Sequence, residues 1–283
     1  MTGIDQFESA FRATLRQEFE LAPPVFEKIL VITDEEADPD QGRKMLSSAM
    51  ALFPSAAELE LHMLTMDAPI AATLELVAEK APDLVVTHRG LASPSWRQPY
   101  TIGENLEVLT QVAAPPVLAL AHPLIATPRM DAPRKVLALT EELAGNSDLV
   151  NAALALTPED GQLVLCHVEN TRSFERFLDV IAKLPSIDTK RAREEISARL
   201  AKEPTDFAKS VSDKLAASAA SGAAPEVTVH ITRGAHTRDY VELVELEAPD
   251  LVVMGTRDAD QLAMHGMAHA LAIELGTMPM LLL

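Results

Sequence analysis

Short, nearly continuous apolar runs alternate along the chain with segments whose apolar residues recur at helical spacing. Apolar runs of this length are typical of strands that are buried on both faces, as in a parallel sheet covered by helices. Because parallel strands must be joined by crossover segments, the alternation predicts right-handed βαβ units. The chain is therefore predicted to be an α/β protein built on open, doubly wound parallel sheets.

The boundaries of the predicted elements follow from where each pattern begins and ends. The predicted strands are 28–34, 58–65, 83–87 and 116–121 in the first half and 135–140, 162–168, 226–232, 250–255 and 278–283 in the second. The predicted helices are 4–20, 40–53, 70–80, 103–112, 146–157, 237–248 and 265–275, and 188–220 is a charged helical stretch.

The chain also repeats itself once. Residues 28–35 (KILVITDE) recur as 135–142 (KVLALTEE), residues 81–86 (APDLVV) recur identically at 248–253, and residues 116–120 (PVLAL) recur as 279–283 (PMLLL). The three pairs keep their order while their spacing changes, which predicts two duplicated domains. The second domain carries about 60 extra residues, and the first lacks about one βα unit.

The predicted domain plan follows from this repeat. It consists of a helical extension at 1–27, a first domain at 28–121, a linker at 122–134 and a second domain at 135–283. Prolines stiffen the linker toward an extended path. The insertion 171–221 is rich in charged residues and alanine, so it is expected to cover one sheet face as an amphipathic helix pair, with a partner-binding arm as the alternative.

Charge and composition limit the possible partners. The chain has 24 Lys and Arg against 42 Asp and Glu, a formal charge of −18. Such a field repels nucleic acid and anionic membranes, so neither is expected as a partner. The chain has no apolar run long enough to span a bilayer and no apolar signal-peptide core near residue 1, which predicts a cytoplasmic protein. The single cysteine, Cys166, lies in an apolar strand and is expected to be buried and unreactive.

A ligand is expected beyond the carboxyl ends of the strands, where helix N-termini and unpaired backbone amides converge. In the second half these ends are 140–141, 167–168, 232–234 and 255–256. No Walker loop, dinucleotide-binding glycine motif or serine elbow follows any predicted strand. The sequence therefore predicts a protein that acts by binding, not an enzyme.

Four segments of the second half together resemble the universal stress protein family. They are KVLALTE at 135–141, VTVHITRG at 227–234, APDLVVMGTR at 248–257 and MPMLLL at 278–283. With the repeats in the first half, the resemblance covers nearly all of 28–121 and 135–283. It implies two tandem Rossmann-like domains of the HUP type that form an internal pseudo-dimer, pairing strands 116–121 and 278–283 edge to edge. That pairing would also cover two apolar strand edges that otherwise invite aggregation.

The resemblance implies a site for ATP or a related adenine nucleotide, which many members of the family bind. The acids at the end of the first strand, Asp34 and Glu141, would lie near the nucleotide, and Val168 would face the adenine. The family's phosphate loop is a glycine, two residues, a second glycine, nine residues, and then Gly-Ser or Gly-Thr. Glycines at these positions let the backbone approach phosphate closely.

Both phosphate loops depart from the family pattern. In the second half Gly255 matches the first glycine, Asp258 replaces the second, and Gly266 arrives after only seven residues, followed by Met267. An aspartate placed against a phosphate is electrostatically unfavourable. In the first half Thr87 replaces the first glycine, and the later Gly103 is followed by Glu104. Strong ATP binding is therefore not expected in either half, and the second half is the better candidate.

Several other residues have alternative interpretations. His265 and His269 are spaced four apart on a predicted helix, which suits either a metal pair or an ordinary helix surface. Arg257, or His88 with Arg89, could hold a small anion or be solvated loop residues.

The loop 96–100 holds the only tryptophan and one of two tyrosines, and is expected either at a contact between the domains or as a lid over the first cleft.

Three functions remain open at this point. The first is a stress-response protein that senses a small molecule or nucleotide. The second is an interaction protein with vestigial clefts, and the third is a weak ATPase. A homodimer is possible as well, although duplication already supplies a two-fold partner.

Overall fold

The computed structural model of the chain describes residues 18–35, 39–53, 56–66, 68–98, 100–126, 132–183, 188–218, 224–234, 236–256 and 266–283. Within these residues it contains nine strands and eight α-helices. The strands are β1 (Lys28–Asp34), β2 (Glu58–Leu64), β3 (Leu84–His88), β4 (Val117–Leu120), β5 (Lys135–Thr140), β6 (Gln162–Asn170), β7 (Glu226–Gly234), β8 (Leu251–Met254) and β9 (Met280–Leu282).

The helices lie between these strands in the alternation that the sequence predicts. They are α1 (Pro39–Leu52), α2 (Ile70–Lys80), α3 (Glu104–Val112), α4 (Ser147–Leu154), α5 (Thr171–Ile181), α6 (Thr189–Ser218), α7 (Thr237–Glu247) and α8 (Gly266–Glu274). None of the helices described is long and apolar enough to cross a membrane.

All nine strands form one sheet in the order β2-β1-β3-β4-β9-β8-β5-β6-β7. The second half contributes the order β7-β6-β5-β8-β9, and the first half contributes β2-β1-β3-β4. If β7 is set aside, the two orders are the same. The first half thus lacks the outermost strand of the second, as the repeat predicts, and the fold class is the predicted doubly wound α/β architecture. The exact domain boundaries stay a prediction.

The two halves join through their last strands. β4 and β9 pair antiparallel, with Val117 opposite Leu282, Leu118 opposite Leu281 and Ala119 opposite Met280. The other pairings that build the sheet are parallel. The predicted contact between strands 116–121 and 278–283 is therefore present, and it covers both apolar edges.

The identical Ala-Pro-Asp segments of the repeat make the same contacts in both halves. Ala81 and Ala248 each end a helix in the left-handed conformation, with φ of 43° and 45°. Asp83 Oδ2 accepts a hydrogen bond from the backbone N–H of Lys28 over 2.9 Å, and Asp250 Oδ2 accepts one from that of Lys135 over 3.0 Å. The aspartate thus fastens the loop before the penultimate strand of each half to the start of its first strand.

Two apolar cores cover the two faces of the sheet, and each core crosses the junction between the halves. One face packs against α1, α4 and α6 and includes Val31, Leu118, Leu281 and Val253. The other packs against α2, α3, α7 and α8. Burial on both faces explains why the strands read as continuous apolar runs.

One predicted helix is wrong over the part of it that is described. Residues 18–20, predicted as the end of the helix 4–20, are not helical, and 1–17 lie outside the described residues. Phe19 instead packs edge-on against Phe207 of α6, with ring centroids 6.1 Å apart. The helix pair expected in the insertion 171–221 is present, because α5 lies ahead of α6. α6 covers the sheet with Phe207, Val211 and Leu215.

Candidate functional site

Ligands of parallel α/β sheets bind at the carboxyl ends of the strands, and the second half has a recess at this position. We call the recess bounded by Glu141, Tyr240 and Gly255 the second mouth. We call the cluster of Asp34, His88 and His122, at the ends of β1, β3 and β4, the first mouth.

A cavity of about 200 Å³ lies in the second mouth. Its apolar wall is formed by Leu139, Met254 and Leu271, and its polar residues include Glu141 and Glu142. No Lys or Arg lines it among the residues that the structure describes. The local charge of the described wall is therefore negative.

Glu141 is held in place by two neighbours. The hydroxyl of Tyr240, on α7, donates to Oε1 over 2.6 Å, and the Asn170 amide donates to Oε2 over 3.4 Å. The pKa of Tyr240 is raised mainly by burial and secondly by the hydrogen bond to Glu141, so the phenol keeps its proton and acts as a donor. This arrangement presents an oriented carboxylate to the cavity.

Gly255 lies directly after β8 and lines the cavity. A Cβ built on it would meet no heavy atom of the described structure within 4 Å. The backbone at this position is thus open to the approach of a ligand.

The other residues predicted for this site are distributed differently. Val168 is fully buried in β6, where its Cγ1 would lie 3.1 Å from a Cβ at Gly234, and it is not part of the cavity wall. Gly266 begins α8, whose next residue, Met267, lines the cavity. Arg257 lies outside the described residues. The structure therefore brings Glu141 and Gly255 together and leaves Val168 apart.

The first mouth is closed by its own chain. The carboxylate oxygen Oδ2 of Asp34 accepts a hydrogen bond from the backbone N–H of Ala92 over 2.7 Å, and both residues are buried. Gly90 and Gly103 touch each other, because a Cβ on Gly103 would lie 2.8 Å from Gly90 Cα. The glycines of this loop thus pack together and leave no cradle between them for phosphate.

Two histidines complete the first mouth beside Asp34, and all three side chains are fully buried. His88 Nε2 lies 3.7 Å from Asp34 Oδ2, and the rings of His88 and His122 meet edge-on with centroids 5.0 Å apart. Burial lowers the pKa of His88 and so favours the neutral ring, whereas the nearby Asp34 has the opposite, smaller effect. One ligand atom from each of the three residues lies within 4.8 Å of the others, so this cluster could hold a metal ion.

The interpretation of His88 and Arg89 as solvated loop residues is wrong, because both residues are buried. The Arg89 side chain leaves the mouth and crosses into the second half. It donates from Nε to the Ala272 carbonyl over 3.1 Å and from Nη2 to the Met278 carbonyl over 3.0 Å. Burial lowers its pKa to about 10, so it remains charged at neutral pH. Arg89 thus fastens α8 and the turn after it to the first half.

The remaining sequence candidates are placed as follows. His269 Nε2 lies 3.2 Å from Glu107 Oε1 across the junction between the halves, and its predicted metal partner His265 lies outside the described residues. Burial raises the pKa of Cys166 to about 12, consistent with an unreactive thiol. The backbone N–H of Ala92 reaches Asp34 over the first mouth, but Ala92 lies outside 96–100, so the lid or domain contact expected of that segment stays a prediction.

A further recess of about 170 Å³ lies between α6 and the ends of β6 and β7. It is lined by His167, Glu169 and Arg233 among others, and His167 Nε2 lies 3.5 Å from Glu169 Oε2. The sequence identifies 167–168 as a strand end but gives no sign of this recess, since its other wall comes from the insertion.

Two residues of the mouths, His122 and Tyr240, do not stand out in the sequence patterns described above. His122 lies two residues after the end of β4, so placing polar residues at the ends of neighbouring strands would have brought it to Asp34 and His88. Tyr240 is one of only two tyrosines and shares the buried face of α7 with Leu243. A polar tip on a buried helical face is the signal that could have found it.

Residues 134–271 match the model of the universal stress protein family. The second half is a universal stress protein domain. The match begins just before β5 and ends within α8, so it contains both Glu141 and Gly255. In the first half, the strand order and the repeated Ala-Pro-Asp contacts follow this universal stress protein domain.

Universal stress proteins are also among the solved structures that match this chain. A putative universal stress protein from Pseudomonas aeruginosa UCBPP-PA14 is 12% identical with a TM-score of 0.48, and the match covers 100% of this chain and 88% of that one. A functionally unknown protein from P. aeruginosa PAO1 gives the same values. A universal stress protein from Archaeoglobus fulgidus is 12% identical with a TM-score of 0.44, covering 90% of this chain and 85% of that one. No curated protein matches the sequence significantly.

Proposed function

We propose that this protein is a stress-response protein of the universal stress type that acts by binding a small molecule at its second mouth, without strong ATP binding. The observation that carries the proposal is the open backbone of Gly255 opposite the oriented carboxylate of Glu141. A ligand seated there would contact a main chain that none of the described side chains covers.

The charge of the second mouth supports a particular class of ligand. The described wall carries Glu141 and Glu142 and no described cation, so a triphosphate would meet repulsion there. A carboxylate accepts up to about four hydrogen bonds, so Glu141 retains acceptor capacity beyond the bond from Tyr240. We therefore propose a neutral or cationic ligand with hydroxyl or amine donors.

The first mouth differs from the second because the protein chain itself closes it. The carboxylate of Asp34 accepts the Ala92 amide, and Gly90 packs on Gly103, so a nucleotide would have to displace the chain itself. The first half is therefore proposed to take no nucleotide.

The alternative is a regulatory protein that binds ATP or another adenine nucleotide in the second mouth, with at most weak hydrolysis. The same open backbone at Gly255 supports it, because phosphate groups bind to exposed amides near helix N-termini. The two proposals differ in the contribution of the triphosphate. Titration with ATP and with adenosine, which lacks it, separates them by calorimetry.

The expected result is that ATP binds no more tightly than adenosine. Saturable micromolar binding of ATP alone would favour the alternative, and phosphate release above background would add hydrolysis to it.

A second experiment asks whether the second mouth holds a molecule at all. Small molecules released from the purified, denatured full chain are identified by mass spectrometry. A bound compound is expected to be lost from the Gly255→Ala variant and retained by Gly276→Ala, where the new Cβ would lie 3.6 Å from its nearest neighbour, in ordinary contact. A compound retained equally by both variants would move the site elsewhere, and the consistent absence of any compound would favour an interaction protein.

A further inference from the structure

We propose that Asp34, His88 and His122 bind a divalent transition metal ion in the first mouth. The site lies in the other half from the proposed ligand site and does not depend on it. No sequence motif points to it, because its three residues come from the ends of three different strands.

The geometry of the cluster fits a metal centre. In a tetrahedral zinc site with ligand bonds of about 2.0 Å, neighbouring ligand atoms are about 3.3 Å apart. Asp34 Oδ2 and His88 Nε2 are 3.7 Å apart, and the three ligand atoms lie within 4.8 Å of one another. Side-chain shifts of about an ångström would bring all three to coordination distance. β1, β3 and β4 are neighbours in the sheet, so their ends are held rigidly.

The surroundings of His88 orient it as a metal ligand. Its Nδ1 lies 3.1 Å from the carbonyl oxygen of Arg89, which places the ring proton on Nδ1 and leaves the Nε2 lone pair directed toward Asp34. A ligating histidine typically donates its other N–H to a carbonyl or carboxylate in this way. The Thr33 hydroxyl lies 3.2 Å from His88 Nε2. When Nε2 binds the ion, this hydroxyl loses its contact with the histidine and is close enough to contact the ion instead.

The other two ligands are positioned as well. The Ala92 amide fixes one oxygen of Asp34 over 2.7 Å. His122 Nδ1 accepts from the Leu124 amide over 3.2 Å, and this bond must be given up whichever nitrogen of His122 binds the ion. Leu124 lies in an exposed turn, so its amide can turn to water instead.

The chemistry of the three ligands selects the ion. Two imidazoles and one carboxylate suit zinc, iron, cobalt, nickel or manganese, whereas magnesium and calcium prefer oxygen ligands. A dication would also compensate the fully buried carboxylate of Asp34. Because all three residues are fully buried under the loop 89–98, the ion is expected to enter during folding and to leave slowly.

The test uses the full chain refolded from denaturant with zinc or with a chelator, then desalted, with metal measured by mass spectrometry. We expect about one zinc per chain in the wild type and a loss of at least tenfold in Asp34→Asn and in His88→Gln. Asparagine keeps the volume and an oxygen for the Ala92 amide, so the fold should survive, which circular dichroism checks. His62→Gln, at a histidine of β2 outside the cluster, is the control and should retain zinc.

Cobalt supplies a second readout that needs no variant. Refolding with cobalt should give the intense visible absorption of a low-coordinate nitrogen and oxygen site, and excess magnesium should leave it unchanged. Failure of the refolded wild type to retain zinc or cobalt would overturn the proposal, as would equal zinc in wild type and Asp34→Asn. In either case the cluster is a buried hydrogen-bond network only.

Discussion

The hydroxyl of Tyr240 donates to the carboxylate of Glu141 over 2.6 Å, joining the helix after β7 to the end of β5. Hydrogen bonds to charged groups contribute about 1.5–3 kcal/mol when buried. Tyr240→Phe should therefore lower the free energy of unfolding by about 1–3 kcal/mol, measured by urea denaturation. Tyr100, the other tyrosine, is 69% exposed, so Tyr100→Phe should leave stability almost unchanged. Equal effects of the two substitutions would contradict the assigned role of Tyr240.

The junction between β4 and β9 makes the two halves one cooperative unit. Leu281 is fully buried opposite Leu118, so Leu281→Ala should lower the free energy of unfolding by about 3–5 kcal/mol, whereas Leu246→Ala, at a leucine that is 72% exposed, should change it little.

Fluorescence of the only tryptophan, Trp96, reports on the first half, and circular dichroism reports on the whole chain. The two unfolding curves should coincide for the wild type. A clear separation of the curves would show that the halves unfold independently.

The contact between Gly90 and Gly103 closes the first mouth. Gly103 has a φ of +94°, a conformation that other residues adopt only with strain, and its Cβ would overlap Gly90 Cα. Gly103→Ala should therefore destabilise the protein by more than about 1 kcal/mol, measured by thermal unfolding. Gly276→Ala should be close to neutral, since its Cβ meets only ordinary contacts. If Gly103→Ala were as stable as the wild type, the loop could not be packed as described.

The carboxylate of Glu247 links β5 and β7. It lies 2.8 Å from Lys135 Nζ and 2.9 Å from His230 Nδ1. The pKa of Glu247 lies below its ordinary value of 4.5, mainly because Lys135 donates a hydrogen bond to the carboxylate and secondly because His230 does. The ionised Glu247 therefore stabilises the fold fully at pH values above its pKa in the unfolded chain. This stabilisation is lost as the pH falls through its lower pKa in the folded protein.

Glu247→Gln should be less stable than the wild type at pH 6 and converge with it in acid. Urea denaturation across pH 2–7 measures the difference. A difference that stayed constant over that range would contradict the assigned ion pair.

Much of the fold could be predicted because each strand is buried on both faces. The runs at 28–34 and 135–140 agree with β1 and β5 at both ends, and the resemblance to the universal stress protein family correctly implies that β4 pairs with β9. The predicted helix 4–20 is wrong at its C-terminal end, where residues 18–20 are not helical. Amphipathic spacing cannot show that Phe19 packs on a helix nearly two hundred residues later in the chain. Tertiary packing there overrides the local pattern.

The candidate site was less predictable than the fold. Glu141 and Gly255 could be placed because they directly follow predicted strands, and ligands bind at the carboxyl ends of parallel strands. The closure of the first mouth could not, because it depends on Gly90 touching Gly103 and on Ala92 reaching Asp34. These contacts are made by loop residues, and the course of the loop has no periodic signal in the sequence. The burial of Arg89 was missed for the same reason, since arginine in a loop is usually solvated.

Calorimetric titration of the full chain with ATP tests most directly whether the acidic second mouth and the closed first mouth exclude a triphosphate. We predict no saturable heat up to millimolar ATP. Saturable micromolar binding that is lost in Gly255→Ala and retained in Gly276→Ala would contradict the account, because triphosphate would then sit against the backbone of the second mouth.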